Sequence, residues 1–343
     1  MRELRFALIG AGFWAHYQMC GWQSVDGARC VAICDPAESR AWALAEKHGI
    51  SHVYCELRKM LDEQSVDFID IVSSVESHVP VARVALERGI ATICQKPLAE
   101  SLAAARAISD FATQQAVKLL VHENWRWQTP LRKVKQILES GRLGQIVRAR
   151  IDYANSFPVF ENQPALKEMT QFILTDIGTH ILDVSRFLFG EASELYCQTR
   201  RMRPDIRGED VATVMMRKES GFTVTCNMSY ASKWEYDRFP QTMVAVEGTA
   251  GGLTLGNDYQ IRLVDQNGDE EISVPIPQYA WANPDYALIH SSIVDCHRNL
   301  LADLAGENPA ETTAADNLRT LQLVYAAYDS ASHDSVQKLA EFQ

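Results

Sequence analysis

The chain is expected to fold as a doubly wound α/β domain over residues 1–122, followed by an α+β domain with a large, mainly antiparallel open sheet over 123–343. Three observations predict this. The first 122 residues alternate apolar β-type runs with stretches of helical spacing, an order that right-handed crossovers turn into a parallel sheet covered on both faces. After His122 the alternation stops and strand-like runs follow one another across short polar turns, the sign of an antiparallel sheet. The length of 343 residues suits two domains at roughly 100–200 residues each.

In the first domain the strand-like runs are Leu4–Ile9, Cys30–Cys34, Phe68–Val72, Ile90–Cys94 and Lys118–Val121, with a weaker one at His52–Tyr54. Between them, helical spacing covers Trp14–Ser24, Ala37–Lys47, Leu57–Leu61, His78–Arg88 and Leu102–Thr113. Past the boundary, a helix near Leu131–Leu138 and the turn Gly141–Gly144 lead into a period-2 strand, Ile146–Tyr153. A helical block then covers Thr170–Phe189. Strands are expected at Glu194–Thr199, Asp210–Arg217, Phe222–Ser229, Thr242–Glu247, Leu253–Leu255, Tyr259–Val264 and Ile272–Ile276, and two helices, Tyr286–Ala305 and Ala314–Ser332, close the chain.

Lys and Arg total 33 against 44 for Asp and Glu, a net charge of −11. That balance argues against a nucleic acid or an anionic membrane as the main partner. It leaves room for a phosphate-bearing cofactor, because a helix N-terminus holds phosphate through backbone N–H groups. No run of about 18 apolar residues suggests a membrane span. The apolar start Phe6–Ile9 passes straight into Gly10-Ala11-Gly12, as a first strand does and a secretory signal does not. The eight cysteines form no CxxC pair and read as reduced thiols of a cytoplasmic protein.

Gly10-Ala11-Gly12-Phe13-Trp14-Ala15 is a GxGxxA between a strand and a helix. Gly10 permits the tight turn, Gly12 lets backbone approach a pyrophosphate, and the small third position lets helix pack on strand. The next strand ends at Asp35, where a carboxylate accepts ribose hydroxyls and repels a 2′-phosphate. Arg40 stands too far along the following helix to receive one, so NAD is expected rather than NADP. Lys96, in Cys94-Gln95-Lys96-Pro97, sits at the carboxyl end of a strand, where ligands of open α/β sheets bind. In Thr175-Asp176-Ile177-Gly178-Thr179-His180, Asp176 and His180 fall at i and i+4 on one helix face, and Gly178 leaves room for a close approach. A carboxylate beside an imidazole is a workable acid–base device. Neither an HExxH nor a cysteine cluster accompanies them, so no metal is expected. Polar and aromatic groups interleave in His122-Glu123-Asn124-Trp125-Arg126-Trp127, which suits either sugar recognition in a cleft between domains or packing at the boundary.

Together these motifs resemble the glucose–fructose oxidoreductase, inositol dehydrogenase and rhizopine-catabolism family, Gfo/Idh/MocA, over nearly the whole chain. GAGFWA is similar to its nucleotide turn, VPVARVALERGIATICQKPLA to the segment with its Glu-Lys-Pro motif, and RLGQIV to the start of its second domain. LTDIGTHILD is similar to its Asp-x-x-x-His helix, VEGTAGGLTL to its late hairpin and NPAETTAADNLRTLQLVYAAYDSA to its closing helix. The resemblance implies a Rossmann domain that binds NAD and a catalytic set of Lys96, Asp176 and His180. His180 would accept the hydroxyl proton, Lys96 would hydrogen-bond the same oxygen, and Asp176 would orient the substrate. Gln95 departs from the pattern, standing where the family has Glu, so a charge beside Lys96 is lost while the amide can still reach cofactor or backbone.

An NAD-dependent dehydrogenase acting on a sugar or polyol is therefore expected, with a free aldose, a branched pentose such as D-apiose included, giving its lactone. An inositol giving a ketone is the nearest rival. Lys96 and His180 argue against a non-catalytic regulator, and an NAD-dependent glycosidase would keep its cofactor through purification. Expected cofactor contacts are Gly10, Gly12, Phe13, Trp14, Asp35, Ser73, Ser74, His78, Gln95 and Lys96. Substrate contacts are expected at Lys96, Asn124, Arg126, Tyr153, Asn155, Asp176 and His180. Val211–Met216 and Phe222–Met228 carry apolar residues on alternating or both faces, so an exposed sheet face suggests a homodimer or homotetramer.

Overall fold

In the computed structural model, which describes residues 2–154, 158–232 and 241–342, the chain divides into two units. The first holds the residues up to Asn124 with 278–283 and 289–319; the second holds Trp125–Pro277, Pro284–Leu288 and the residues from Thr320. In the first unit, strands β1 (Leu4–Ile9), β2 (Ala28–Cys34), β3 (Val53–Tyr54), β4 (Phe68–Ile71), β5 (Ala91–Gln95) and β6 (Leu119–His122) alternate with helices α1 (Phe13–Trp22), α2 (Glu38–His48), α3 (Leu57–Glu63), α4 (Val75–Glu87) and α5 (Leu102–Gln115). The strands form one parallel sheet in the order β3-β2-β1-β4-β5-β6. Phe6–Ile9, Val31–Cys34 and Phe68–Ile71 are buried without a break, as strands covered on both faces must be. Strand order reverses between β1 and β4, which makes the carboxyl ends of those two strands the place where a crevice opens. Helix α4 begins three residues before the expected His78, because Pro80 is carried inside the helix rather than near its start.

The first unit also takes in segments of the chain's last third that the sequence alone assigns to the second domain. Helix α6 (Thr129–Glu139), α7 (Val159–Asn162) and α8 (Thr179–Phe189) belong to the second unit, whereas most of α9 (Ala287–Leu304) belongs to the first. Gly21 explains its docking. A Cβ there would come within 2.5 Å of Ile293 Cγ2 and 3.0 Å of the His297 ring, so its absence lets α9 close on α1. The His297 ring then stacks on Trp22 at 3.8 Å between centroids. Thr312 and Thr313 run along the edge of β6, where Val121 N donates to Thr312 O and Leu120 bridges Thr313.

A buried polar chain lies within this unit. Trp22 Nε1 donates to Asp70 Oδ2 at 2.7 Å and Gln18 Nε2 to both Asp70 oxygens at 3.1 and 3.2 Å. Gln95 Nε2 reaches Gln18 Oε1 at 3.4 Å and stands 3.3 Å from His122 Nδ1.

The second unit is a nine-stranded sheet. Its strands are β7 (Ile146–Ala154), β8 (Ala192–Arg200), β9 (Val211–Lys218), β10 (Thr223–Ser229), β11 (Met243–Gly248), β12 (Gly251–Leu255), β13 (Gln260–Asp265), β14 (Gly268–Ser273) and β15 (Gln337–Lys338). The order is β14-β13-β12-β11-β7-β10-β9-β8-β15, antiparallel throughout except for the β7–β10 pair. Helix α8 packs on β7 and β10, with α6 against α8, and α10 (Ala314–His333) completes the helices. Strand β14 lies earlier than the expected Ile272–Ile276. Gly268, at φ +113°, closes a tight turn onto β13, and the acidic run that follows pairs with it, Arg262 bonding Asp269. The apolar residues suggested the later span, but ladder geometry decides.

Burial pushes the Asp70 carboxyl up to about 7 against the lowering effect of its Trp22 and Gln18 donors. The folded state thus binds this proton more tightly than the unfolded chain, whose value is about 3.9. The resulting stability is whole below that value and is lost as pH rises through about 7. Between the two, the loss is about 1.4 kcal/mol per pH unit. Asp70→Asn is expected to remove this slope from urea-melt stabilities collected between about pH 5 and 7; equal slopes in both proteins would contradict it.

Candidate active site

The glycine turn after β1 is shaped by backbone. Gly10 has φ +106°, and a Cβ there would meet Ser73 N, Ser73 Cα and Val72 C at 2.8 Å. Gly12, by contrast, faces open space and precedes the first turn of α1, whose N–H groups suit an anion. Asp35 is buried at the end of β2. Its Oδ2 accepts Ala11 N at 2.7 Å, and its Oδ1 accepts Ala37 N at 2.8 Å and Arg40 Nη2 at 2.9 Å. Burial raises its pKa, but these donors outweigh it and hold the carboxyl below its usual range. Arg40 thus reaches back across the first turn of α2 to the Asp35 carboxylate. The Trp14 indole N–H is buried with no acceptor among the described residues. A turn open at Gly12, a helix N-terminus, an ionised Asp35 and this spare donor fit a dinucleotide.

Lys96 follows the end of β5, half-buried. Its backbone N–H donates to Gln95 Oε1 at 2.9 Å. The Gln95 amide is thus bound to backbone on one side and to the Gln18 and His122 chain on the other.

In the second unit, the helix carrying Asp176 and His180 begins as a π-turn, Leu174–Gly178, continued by α8. Its leading N–H groups are held by groups the motif does not contain. Glu209 accepts Phe172 N and Leu174 N through its carboxylate and Ile173 N through its carbonyl, and Tyr328 OH takes Thr175 N while donating to Glu209 at 2.8 Å. Asp176 Oδ2 accepts Tyr230 OH at 3.2 Å. Burial, aided by the Asp176 charge, raises the Tyr230 pKa well above its ordinary value, so it remains a donor. The His180 ring stacks on Trp125 at 4.1 Å and 20°, and Trp125 is itself pinned by Nε1 to Thr242 Oγ1 at 2.9 Å. A Cβ on Gly178 would meet Leu174 at 3.4 Å and Ile173 O at 3.6 Å, both ordinary contacts.

The first unit matches the model of the oxidoreductase family with an NAD-binding Rossmann fold over residues 4–123, and the second matches the GFO/IDH/MocA C-terminal domain over 131–254. A D-apiose dehydrogenase of Paraburkholderia graminis is 37% identical over all of this chain and 92% of its own length, and one of Rhizobium rhizogenes is 38% identical over 97% and 96%. The chain belongs to the Gfo/Idh/MocA oxidoreductase family. The crystal structure of an oxidoreductase from Agrobacterium radiobacter in complex with NAD+, L-tartaric acid and magnesium is similar at TM-score 0.97 and 35% identity, covering 99% of this chain and 100% of that one.

Within this Gfo/Idh/MocA chain the expected contacts fall into two groups. Phe13 is exposed, and Ser73 and Ser74 lie at the carboxyl end of β4 beside Gly10, with Ser73 Oγ 2.6 Å from Ser77 Oγ. His78 is not at a surface. It is 1% exposed and its ring nitrogens lie 2.8 Å from Pro97 O and 3.1 Å from Ser73 O, so it braces the two strand ends. Burial outweighs these carbonyls and lowers its pKa. The residues expected at the substrate, Asn124, Arg126 and Tyr153, are buried. Asn124 Nδ2 donates to Ser292 Oγ at 2.8 Å, Tyr153 is fully buried, and Arg126 forks onto buried Asp183 through Nε at 2.8 Å and Nη2 at 2.5 Å. In His122–Trp127, packing accounts for Trp125 and for Trp127, under the Arg132 guanidinium at 4.2 Å. Asn155 lies outside the described residues. Glu209, Tyr230 and Tyr328 carry no motif, and only the fold reveals them.

Gly10→Ala places a methyl against backbone that cannot yield, at a φ that L side chains avoid. Calorimetric NAD affinity is expected to fall by roughly tenfold or more; an unchanged affinity would mean that the turn does not hold the cofactor.

Proposed function

We propose that this chain is an NAD-dependent sugar dehydrogenase that oxidises the anomeric hydroxyl of a free aldose to its lactone, with D-apiose the first candidate. The observation that carries the reading is the Asp176–His180 helix, fixed by Trp125, Tyr230, Glu209 and Tyr328 in a chain whose other unit carries a dinucleotide turn and Lys96. The two D-apiose dehydrogenases that match nearly end to end support the choice of substrate. Gly10, Gly12, the first turn of α1, Trp14 and Asp35 would hold NAD. When bound, NAD supplies a nicotinamide ring that accepts a hydride.

The chain's residues handle the proton and the oxygen. His180 takes the hydroxyl proton as the C–H bond breaks, leaving the lactone carbonyl. Stacking on Trp125 fixes the plane of the His180 ring. Lys96 donates to the same oxygen and stabilises its developing negative charge. Asp176, steadied by Tyr230, orients the sugar. An absorbance screen of aldoses, branched pentoses and inositols with NAD and NADP tests this, with product identification separating lactone from ketone. Lys96→Ala and His180→Ala are each expected to lower kcat by about 10²–10⁴-fold, His180→Ala without weakening NAD. If no sugar or polyol reduces either cofactor, or if both variants keep full activity, the reading fails.

Self-association belongs to the same reading. On the sheet face opposite α8, Met215 and Val264 are 49% and 45% exposed amid a polar lattice in which Arg148 pairs with Glu247 and Asp152 with Arg150 and Asn227. Such a broad face suits a second copy of the chain, and light scattering is expected to give a dimer or tetramer; a monomer throughout the micromolar range would exclude it.

A further inference from the structure

His16 and Cys20 stand at i and i+4 on α1 and so share one helix face. His48 ends α2. One donor atom from each lies within 4.8 Å of the others: His16 Nδ1 is 3.0 Å from His48 Nε2, and Cys20 Sγ is 3.7 Å from His16 Nδ1. Tetrahedral zinc, with Zn–N about 2.05 Å and Zn–S about 2.3 Å, has N···N edges of about 3.3 Å and N···S edges of about 3.6 Å. Two edges of the triangle are close to those lengths and the third is no longer than 4.8 Å. Cys20 Sγ also lies 3.8 Å from His16 Nε2, so the His16 ring turns modestly to bring Nδ1 onto a shared metal.

A second observation concerns protons. Gln23 Nε2 donates to the His48 carbonyl at 3.3 Å, which turns Gln23 Oε1 toward His48 Nδ1 at 2.9 Å. A carbonyl oxygen only accepts, so His48 carries its proton on Nδ1 and presents a lone pair at Nε2. This is the arrangement by which an oxygen acceptor orients a metal-ligating imidazole. Neither role draws on the residues assigned to sugar oxidation.

We propose that His16, Cys20 and His48 form a zinc site that clips α1 to α2, with a water in the fourth position. Two imidazoles and a thiolate select zinc over magnesium or calcium, which take oxygen ligands. His16 and His48 are half-buried rather than sealed, so water can reach the open position. On binding, the Cys20 thiol gives its proton to solvent, and the His16 proton moves from Nδ1 to Nε2 as Nδ1 takes the metal. Lys47 Nζ now lies 3.0 Å from His16 Nε2, an ammonium that a protonated Nε2 repels. Lys47 is exposed and free to swing away, but its charge opposes the metal.

Cobalt titration of the metal-free full-length protein tests the site, because Co2+ adopts the zinc geometry and is coloured. Wild type is expected to show a thiolate-to-cobalt band with the intense visible bands of four-coordination, both abolished when Zn2+ is added. Cys20→Ser should lose the thiolate band, His48→Gln should weaken cobalt roughly tenfold or more, and Lys47→Gln should tighten it. Absence of a thiolate band in wild type, or the same band in Cys20→Ser, would overturn the proposal. The spectrum reads the metal directly, so it stands or falls independently of sugar oxidation.

Discussion

The carboxyl end of the parallel sheet depends on a side chain that is missing. Because residue 10 has no Cβ, the turn after β1 rests directly on the backbone of Val72 and Ser73, the residues that follow β4. That contact joins the two strands at which the sheet reverses order, and three others extend it. Asp35 ties Ala11 N to the end of β2. His78 lies between Ser73 O and Pro97 O and so links the ends of β4 and β5. Four strand ends are thereby laced through backbone donors and acceptors, which leaves the outward N–H groups of α1 for an anion. The same lacing explains a net charge of −11 in a protein that holds a dianion: the donors are peptide groups with no charge to count.

In the second unit a charge plays the corresponding part. Asp183 is fully buried and faces two guanidinium groups, the fork from Arg126 and Arg186 at 3.8 Å, while Thr320 Oγ1 donates to it at 3.1 Å. Arg186 in turn holds Glu191 at 2.7 Å. Burying such groups costs about as much as their attraction returns, so their contribution lies in orientation more than in net stability. Asp183 stands three residues, nearly one helical turn, beyond His180 on α8. Fixing Asp183 to Arg126, the neighbour of Trp125, therefore sets both the helix and the ring on which His180 stacks.

Much of this was legible from sequence because it rests on short-range pattern. Alternating apolar runs gave the parallel sheet, GxGxxA its turn and Asp-x-x-x-His its helix face. What escaped is long-range and rests on groups of ordinary type. Gly21 looks like a helix defect until His297 is seen stacked beside it. Glu209 and Tyr328 are single polar residues far along the chain, yet they hold the start of the His180 helix. Arg126 and Asn124 illustrate the same limit: polar residues beside aromatics suit recognition or packing alike, and nothing local records that Asp183 and Ser292 are their partners. His16, Cys20 and His48 were separable into a trio only by the packing of α1 against α2.

Gln95 shows why a departure from a family pattern can be required rather than tolerated. Its neighbour Gln18 uses its NH2 group on both oxygens of Asp70 and so can offer Gln95 only its carbonyl. A carboxylate at position 95 would then face an acceptor with no proton to share. It would also add negative charge near Asp70, a carboxyl that burial already makes hard to ionise. The amide resolves both conflicts, donating from Nε2 to Gln18 and accepting Lys96 N at Oε1. Gln18 and Asp70 thus make a neutral residue at 95 the consistent choice, and the Lys96 backbone is held by the amide oxygen with no charge at position 95.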